Sequence, residues 1–234
     1  MNVQPCRTCG TEVRGNYCSN CGQAYNVKRI TLGGLLHDVF HFFTHLEKGF
    51  GYTLKQLIVA PGTMQRKYIE GHRGRHQKPF SMFFICATIA ALSRYFIYEL
   101  RARIYDRANM VEANFFHEYW VLMFIIVVPV ITLVNWVFFY RSAYNYAEMG
   151  VISLYNMSFV LIGAALITLL RLVRADFGTD IIDFTFVLTY NLITFINVFR
   201  TSHRWLVAAK VVVATVLIFY MIQVSEDFAK WLVE

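Results

Sequence analysis

Residues 150–170 read GVISLYNMSFVLIGAALITLL, and this run decides the fold class. It carries no charged side chain and is apolar on every face, not on one stripe. Such a run suits a helix surrounded by lipid. Its length matches the roughly 20 residues needed to cross about 30 Å of hydrocarbon. Four further runs of this kind follow from the same reading, at 80–100, 119–140, 181–199 and 206–224. Aromatic residues crowd their ends (Tyr119, Trp120, Phe138, Tyr140, Trp205), as at a membrane–water interface. Hydrophobic residues make up 57% of the chain and charged residues 16%, too little polar surface for a soluble helical bundle. The chain opens on a polar segment, so no cleavable signal peptide is expected, and the first span acts as an uncleaved anchor.

That polar segment carries Cys6-Arg7-Thr8-Cys9 and Cys18-Ser19-Asn20-Cys21, each pair followed by a glycine (Gly10, Gly22). Two C-x-x-C knuckles supply the four ligands of a tetrahedral Zn²⁺. The glycines allow the restricted backbone beside each knuckle. Four thiolates leave no open coordination position, so the zinc is structural, and it supplies folding energy that so short a segment cannot draw from a core. Disulfides are the weaker reading, and a thioredoxin-like role lacks its βαβ setting. Reduced thiolates place the segment in the cytosol. The expected fold is an all-α polytopic membrane protein of about five transmembrane helices with a small N-terminal zinc ribbon. The expected domains are residues 1–25 (ribbon), 26–79 (amphipathic membrane-surface helices) and 80–234 (transmembrane).

Residues 55–78 hold six basic side chains, Lys55, Arg66, Lys67, Arg73, Arg75 and Lys78, against Glu70 alone, a net +5. This block precedes the first span, which places the N-terminus in the cytosol and, after five spans, the C-terminus outside. Leu32, Leu35, Leu36, Val39, Phe40, Phe43 and Leu46 recur at spacings of three and four, giving one apolar helix face with Thr31 as N-cap and Gly49 as stop. Helical stretches at 53–59 and 63–70 flank Pro61-Gly62, where proline ends one helix and glycine permits the turn. These pieces are too short to span. They are expected to lie at the headgroup boundary, with Arg66, Lys67, Arg73, Arg75 and Lys78 docking on anionic lipid.

The stretch Thr53-Leu54-x-x-Leu57-x-x-x-Pro61-Gly62-x-x-x-Arg66-x-Tyr68-Ile69-x-Gly71-x-Arg73, followed by Pro79, resembles the signature of domain-of-unknown-function family 3667. The resemblance covers 53–79, and the ribbon at 6–23 extends it. Its motif residues here are Thr53, Pro61, Gly62, Tyr68 and Gly71. His72 and His76 stand where the family pattern has a lysine and a tyrosine. The resemblance implies a bacterial inner-membrane protein and supplies no reaction.

His37, His41 and His45 share one helix face and form an alternative metal site, although His37-Asp38-Val39-Phe40-His41 lacks the glutamate of an H-E-x-x-H motif. A polar edge at headgroup level explains them more simply. Asn135, Asn156, Asn191 and Asn197 lie in or near spans and read as interhelical hydrogen-bonding groups, while Lys210, about one turn into the fifth span, reads as snorkelling to the cytosolic headgroups. Cys86 reads as a small buried apolar residue. Gly163-Ala164-Ala165 allows close helix approach. No phosphate-binding loop, dinucleotide fingerprint or nucleophile elbow is present. The ribbon itself holds only Arg7, Arg14 and Glu12, which makes nucleic-acid binding a poor fit. The expected function is a non-enzymatic scaffold or regulator whose ribbon recruits a protein partner. A small-solute or lipid transporter or channel is the alternative, and a metalloenzyme built on the histidines comes third.

Overall fold

The computed structural model describes residues 4–13, 15–35, 49–104, 127–170, 180–200 and 203–233. The chain begins with strand β1 (Gln4–Pro5) antiparallel to β2 (Glu12–Val13), Gln4 opposite Val13. A second small hairpin is closed by a bridge between Tyr17 and Ala24. At residue 31 the Thr31 hydroxyl accepts from the Gly34 amide at 3.3 Å, and its carbonyl accepts from the Leu35 amide at 3.0 Å, the expected N-cap. The helix beyond Leu35, with His37, His41 and His45, lies outside the described residues.

Two short helices follow, α1 (Phe50–Val59) and α2 (Thr63–Ile69). The long helices are α3 (Pro79–Ile104), α5 (Tyr146–Thr168), α6 (Asp180–Val198) and α7 (Arg204–Val233), with a shorter apolar helix α4 (Val127–Phe138) between α3 and α5. Four of these contain segments long and apolar enough to cross a membrane: Pro79–Ile97, Tyr146–Thr168, Ile181–Val198 and Arg204–Val224. The chain is therefore a helical membrane protein. The expected span at 119–140 is represented by α4, and the rest of that span lies outside the described residues.

Local chemistry sets the helix starts. Proline opens α3, where its missing N–H costs nothing. A reciprocal capping box opens α5: the Asn145 side chain accepts from the Glu148 amide at 2.8 Å, and Glu148 accepts from the Asn145 amide at 2.8 Å. Helix α5 is central, packed on α3 along one side and α6 along another, while α7 packs on α6. Gly163 makes the α5–α6 contact possible, since a Cβ there would overlap the Phe186 ring. Cys86 is fully buried in the α3–α5 core, as expected of a small apolar residue. The outer faces of α6 and α7 stay apolar and exposed (Ile181, Trp205, Leu206), as lipid-facing surfaces do.

The short helices join that core. Leu57, Met64 and Tyr68 are buried in one cluster with Met82, Phe83 and Tyr155 of the long helices. Residues 50–69 thus share a hydrophobic core with the transmembrane helices, with one face packed inward and Lys67 exposed; Arg75, in the loop that follows, is exposed as well.

The ends of the helices fall into two sets. Arg29 of the ribbon linker donates to Glu148 at the start of α5, and the Ile30 carbonyl accepts from Asn145 at 3.1 Å. The end of α6 meets the α1–α2 corner, where Asn197 donates to the Pro61 carbonyl at 3.2 Å and Arg200 to Thr63 at 3.1 Å. Phe139, just past α4, stacks on Phe199, just past α6, at 4.5 Å. The starts of α3 and α5 and the ends of α4 and α6 therefore lie on the ribbon side, and α7 runs away from it.

Candidate metal centre

The two cysteine knuckles are built alike. The Cys6 carbonyl accepts from the Gly10 amide at 2.9 Å, and the Cys18 carbonyl from the Gly22 amide at 2.9 Å. The Cys6 and Cys18 amides donate to the Thr11 and Gln23 carbonyls, each at 2.8 Å. Closing each turn requires positive φ, 75° at Gly10 and 70° at Gly22, which glycine adopts without strain. The same five-residue turn, used twice, brings the thiols together.

The Sγ atoms of Cys6, Cys9, Cys18 and Cys21 all lie within 4.8 Å of one another. Across the knuckles, Cys6 to Cys21 and Cys9 to Cys18 are each 3.5 Å apart. A tetrahedral ion with Zn–S bonds of about 2.3 Å separates its sulfurs by about 3.8 Å, so shifts of about 1 Å or less in the sulfur separations let the cluster hold one. All four thiols are free rather than disulfide-bonded. Cys6 and Cys18 are buried, and Val13 packs against them, so the site is shielded on one side. The Thr11 side chain and amide beside Cys9 hold its thiol down to about 6, whereas burial pushes Cys21 up to about 12. The four cysteines can hold a metal ion, and every ligand position is then filled by sulfur.

The ribbon is keyed to the loop after α2. The Gln23 side-chain oxygen accepts from the Arg73 amide at 2.8 Å, the Gly74 amide at 2.6 Å and the Thr8 hydroxyl at 3.1 Å. Its side-chain amide donates to the Ala24 carbonyl at 3.2 Å. Gly74 must be glycine for this approach, because a Cβ would stand 2.9 Å from the Gln23 Cβ and 3.0 Å from the Cys21 carbonyl oxygen. Arg73 reaches across the joint: its Nε donates to the Tyr68 carbonyl at 3.1 Å, its Nη2 to the Lys28 carbonyl at 3.3 Å, and its guanidinium lies over the Tyr68 ring. A bidentate pair, Arg29 to Glu148 at 2.8 and 2.9 Å, ties the linker to α5.

The motif residues form the other half of this joint. The Thr53 hydroxyl accepts from the Gln77 amide at 2.8 Å, and Tyr155 donates to the Gln77 carbonyl at 2.6 Å. Gly62 has φ 76°, and a Cβ on it would overlap the Thr194 carbonyl of α6. Tyr68 packs edge-on against Tyr155, with ring centroids 5.4 Å apart. Gly71 (φ 108°) presses against Val27 of the linker. His76 lies beside Tyr52 and Tyr68, with centroids 5.1 and 6.2 Å away, and burial then the nearby His72 and Lys67 push it down to about 4. Among the basic residues, Lys67 and Arg75 are exposed, Arg66 lies 3.7 Å from Glu70, and Arg73 and Lys78 are half-buried.

Beneath the joint a polar chain crosses the bundle. Gln65 of α2 donates to Asn156 of α5 at 2.8 Å, Asn156 to Asn191 of α6 at 2.9 Å, and Asn191 to Thr215 of α7 at 3.5 Å. The sequence exposed the asparagines but not their order or the Gln65 end. Gln23 carried no sequence signal, because its partners across the joint, Arg73 and Gly74, lie 50 and 51 residues away. The Asn145–Glu148 capping box was available as N-x-x-E ahead of an apolar run.

Residues 47–91 match the model of a family described as Protein of unknown function (DUF3667), a range that contains the whole Thr53–Pro79 motif. The chain matches no curated protein and no solved structure.

Proposed function

We propose that this chain is a scaffold or regulatory protein of the bacterial inner membrane. In this reading its N-terminal cysteines hold Zn²⁺ and the ribbon recruits a protein partner on the cytosolic side. The observation that carries the reading is the Gln23 joint. It holds the metal centre at a fixed place on the membrane helices, which is what a recruiting platform requires. The ribbon also presents Tyr17, 69% exposed, and Tyr25, 43% exposed, as aromatic anchors of the kind that dominate protein interfaces. The basic side chains Lys67 and Arg75 lie on the same segment and would face anionic headgroups. The alternation of helix ends puts the close of α7 away from the ribbon, which supports opposite sides for the two ends, and the basic block at 55–78 ahead of α3 supports the cytosolic side for the ribbon and the periplasmic side for the C-terminus.

Transport through the bundle would call for a wet path along Asn156, Asn191 and Lys210. Asn156 is 5% exposed and bonded to Asn191, and the Lys210 ammonium sits 5.4 Å from the centre of the Phe139 ring. Such packing favours the scaffold reading. The test is affinity purification in mild detergent with wild type, Tyr17→Ala and Cys6→Ser/Cys9→Ser. A partner lost from both variants supports recruitment by the ribbon. A partner set identical in all three contradicts it.

A further inference from the structure

We propose that the ribbon-side cavity beside Lys28 binds the headgroup of an anionic glycerophospholipid, with an acyl chain in the adjoining slot between α3, α4 and α5. The site rests on the reading of the long helices as membrane-spanning. The headgroup cavity, about 550 Å³, lies between the ribbon linker and the start of α3, with Lys28, Arg29 and Arg73 at its polar side and Ile30, Phe80 and Val151 at its apolar side. Glu148 neutralises Arg29, so the surplus positive charge belongs to Lys28 and Arg73. Arg73 spends Nε and Nη2 on carbonyls, and no hydrogen bond engages its Nη1 or the Lys28 ammonium among the described residues. Two cationic donors at one mouth fit a phosphate group.

A second cavity of about 300 Å³ shares the walls Leu35 and Phe80 with the first. Its remaining lining is almost wholly apolar, with Phe83, Phe84, Val128 and Leu154 among it. Both cavities lie where α3 and α5 begin, on the ribbon side, the level at which a headgroup meets its chains. The pairing of a cationic mouth with a dry slot selects a lipid over a free phosphate, which has nothing to place in the slot. Electrostatic attraction draws the anionic headgroup, and burial of chain methylenes adds about 0.8 kcal/mol each.

The experiment is native mass spectrometry of the full chain released from nanodiscs of equal parts phosphatidylglycerol and phosphatidylcholine. Wild type should retain phosphatidylglycerol preferentially. Lys28→Ala should lower that retention about fivefold, the worth of one basic group near an anionic lipid. Gly150→Leu should fill the slot and lower it as well. A Cβ at Gly150 meets only Thr132 Cγ2 at 3.7 Å and Leu35 Cδ2 at 3.9 Å, ordinary contacts, so the backbone has room for it. Leu32→Asp, on an exposed residue at the slot's rim, is the second variant should Gly150→Leu fail to fold. Zinc content and thermal unfolding report folding in each case. Equal retention of the two lipids by wild type, or retention indifferent to the variants, overturns the site. Displacement by millimolar inorganic phosphate would identify a free-phosphate site and overturn the lipid assignment. Failure here with zinc-dependent partner capture intact removes the lipid site alone.

Discussion

The Gln23 side-chain oxygen and the Gly74 amide meet at 2.6 Å, across 51 residues of sequence. This bond joins the second cysteine knuckle to the loop that follows α2, and through that loop to the transmembrane helices. It makes the cysteine cluster and the segment matched by the family model one unit. Loss of the acceptor should therefore loosen the ribbon without dissolving the bundle.

Gln23→Leu removes an acceptor that serves three donors. It should cost about 1–3 kcal/mol at the joint, the penalty for buried amides left unpaired. Gln23→Glu keeps the acceptor and should be milder. Hydrogen exchange at the Arg73 and Gly74 amides is the readout. Protection unchanged in Gln23→Leu would show that the joint does not depend on this side chain.

Gly62→Ala should destabilise the protein by more than about 2 kcal/mol. Its φ of 76° disfavours any L side chain, and the added carbon would overlap the Thr194 carbonyl. Thermal unfolding in detergent checks this. Gly15→Ala, with open space around its Cβ position, is the matched control and should be near neutral.

His76 should make the fold acid-sensitive. Its folded value is depressed to about 4 from an ordinary 6.5, so the unfolded chain binds the proton more readily. The contribution is full above pH 6.5 and is lost as pH falls from 6.5 toward 4. By pH 5 the loss is about 1–2 kcal/mol, nearer the lower figure because the side chain keeps some contact with water. His76→Tyr removes the titrating imidazole and should flatten the stability profile between pH 7 and 5. An unchanged acid slope would place the sensitivity elsewhere.

Asn156→Ala breaks the polar chain at its centre and leaves Gln65 and Asn191 without their partner. The expected loss is about 1–2 kcal/mol, above the average for interhelical hydrogen bonds because two bonds go together. Double-mutant cycles with Gln65→Ala should show coupling. Additive losses would mean that the two side chains act independently.

The elements were legible in the sequence to the extent that they are local. Apolar length placed α3, α5, α6 and α7 within a few residues, though α7 continues to Val233, past the apolar stretch that marked it. The doubled C-x-x-C-Gly spacing contained the whole geometry of the knuckles, because each knuckle closes on its own residues. The Pro61-Gly62 break marked two short helices at 53–59 and 63–70, and their interleaved apolar and basic residues marked them as amphipathic, but an apolar face can rest on lipid or on protein, and the pattern does not distinguish them. Thr53, Gly62 and Tyr68 meet partners 24 to 132 residues away, such as Gln77 and Thr194, and such pairings leave no trace in a single sequence. The same holds for Gln23.

A four-sulfur zinc centre at the head of the membrane helices would be seen by zinc K-edge X-ray absorption on protein purified without added metal. The expected result is one zinc per chain with four sulfur neighbours at about 2.3 Å, supplied by Cys6, Cys9, Cys18 and Cys21. Absence of stoichiometric metal, or a nitrogen or oxygen ligand in place of a sulfur, would contradict it.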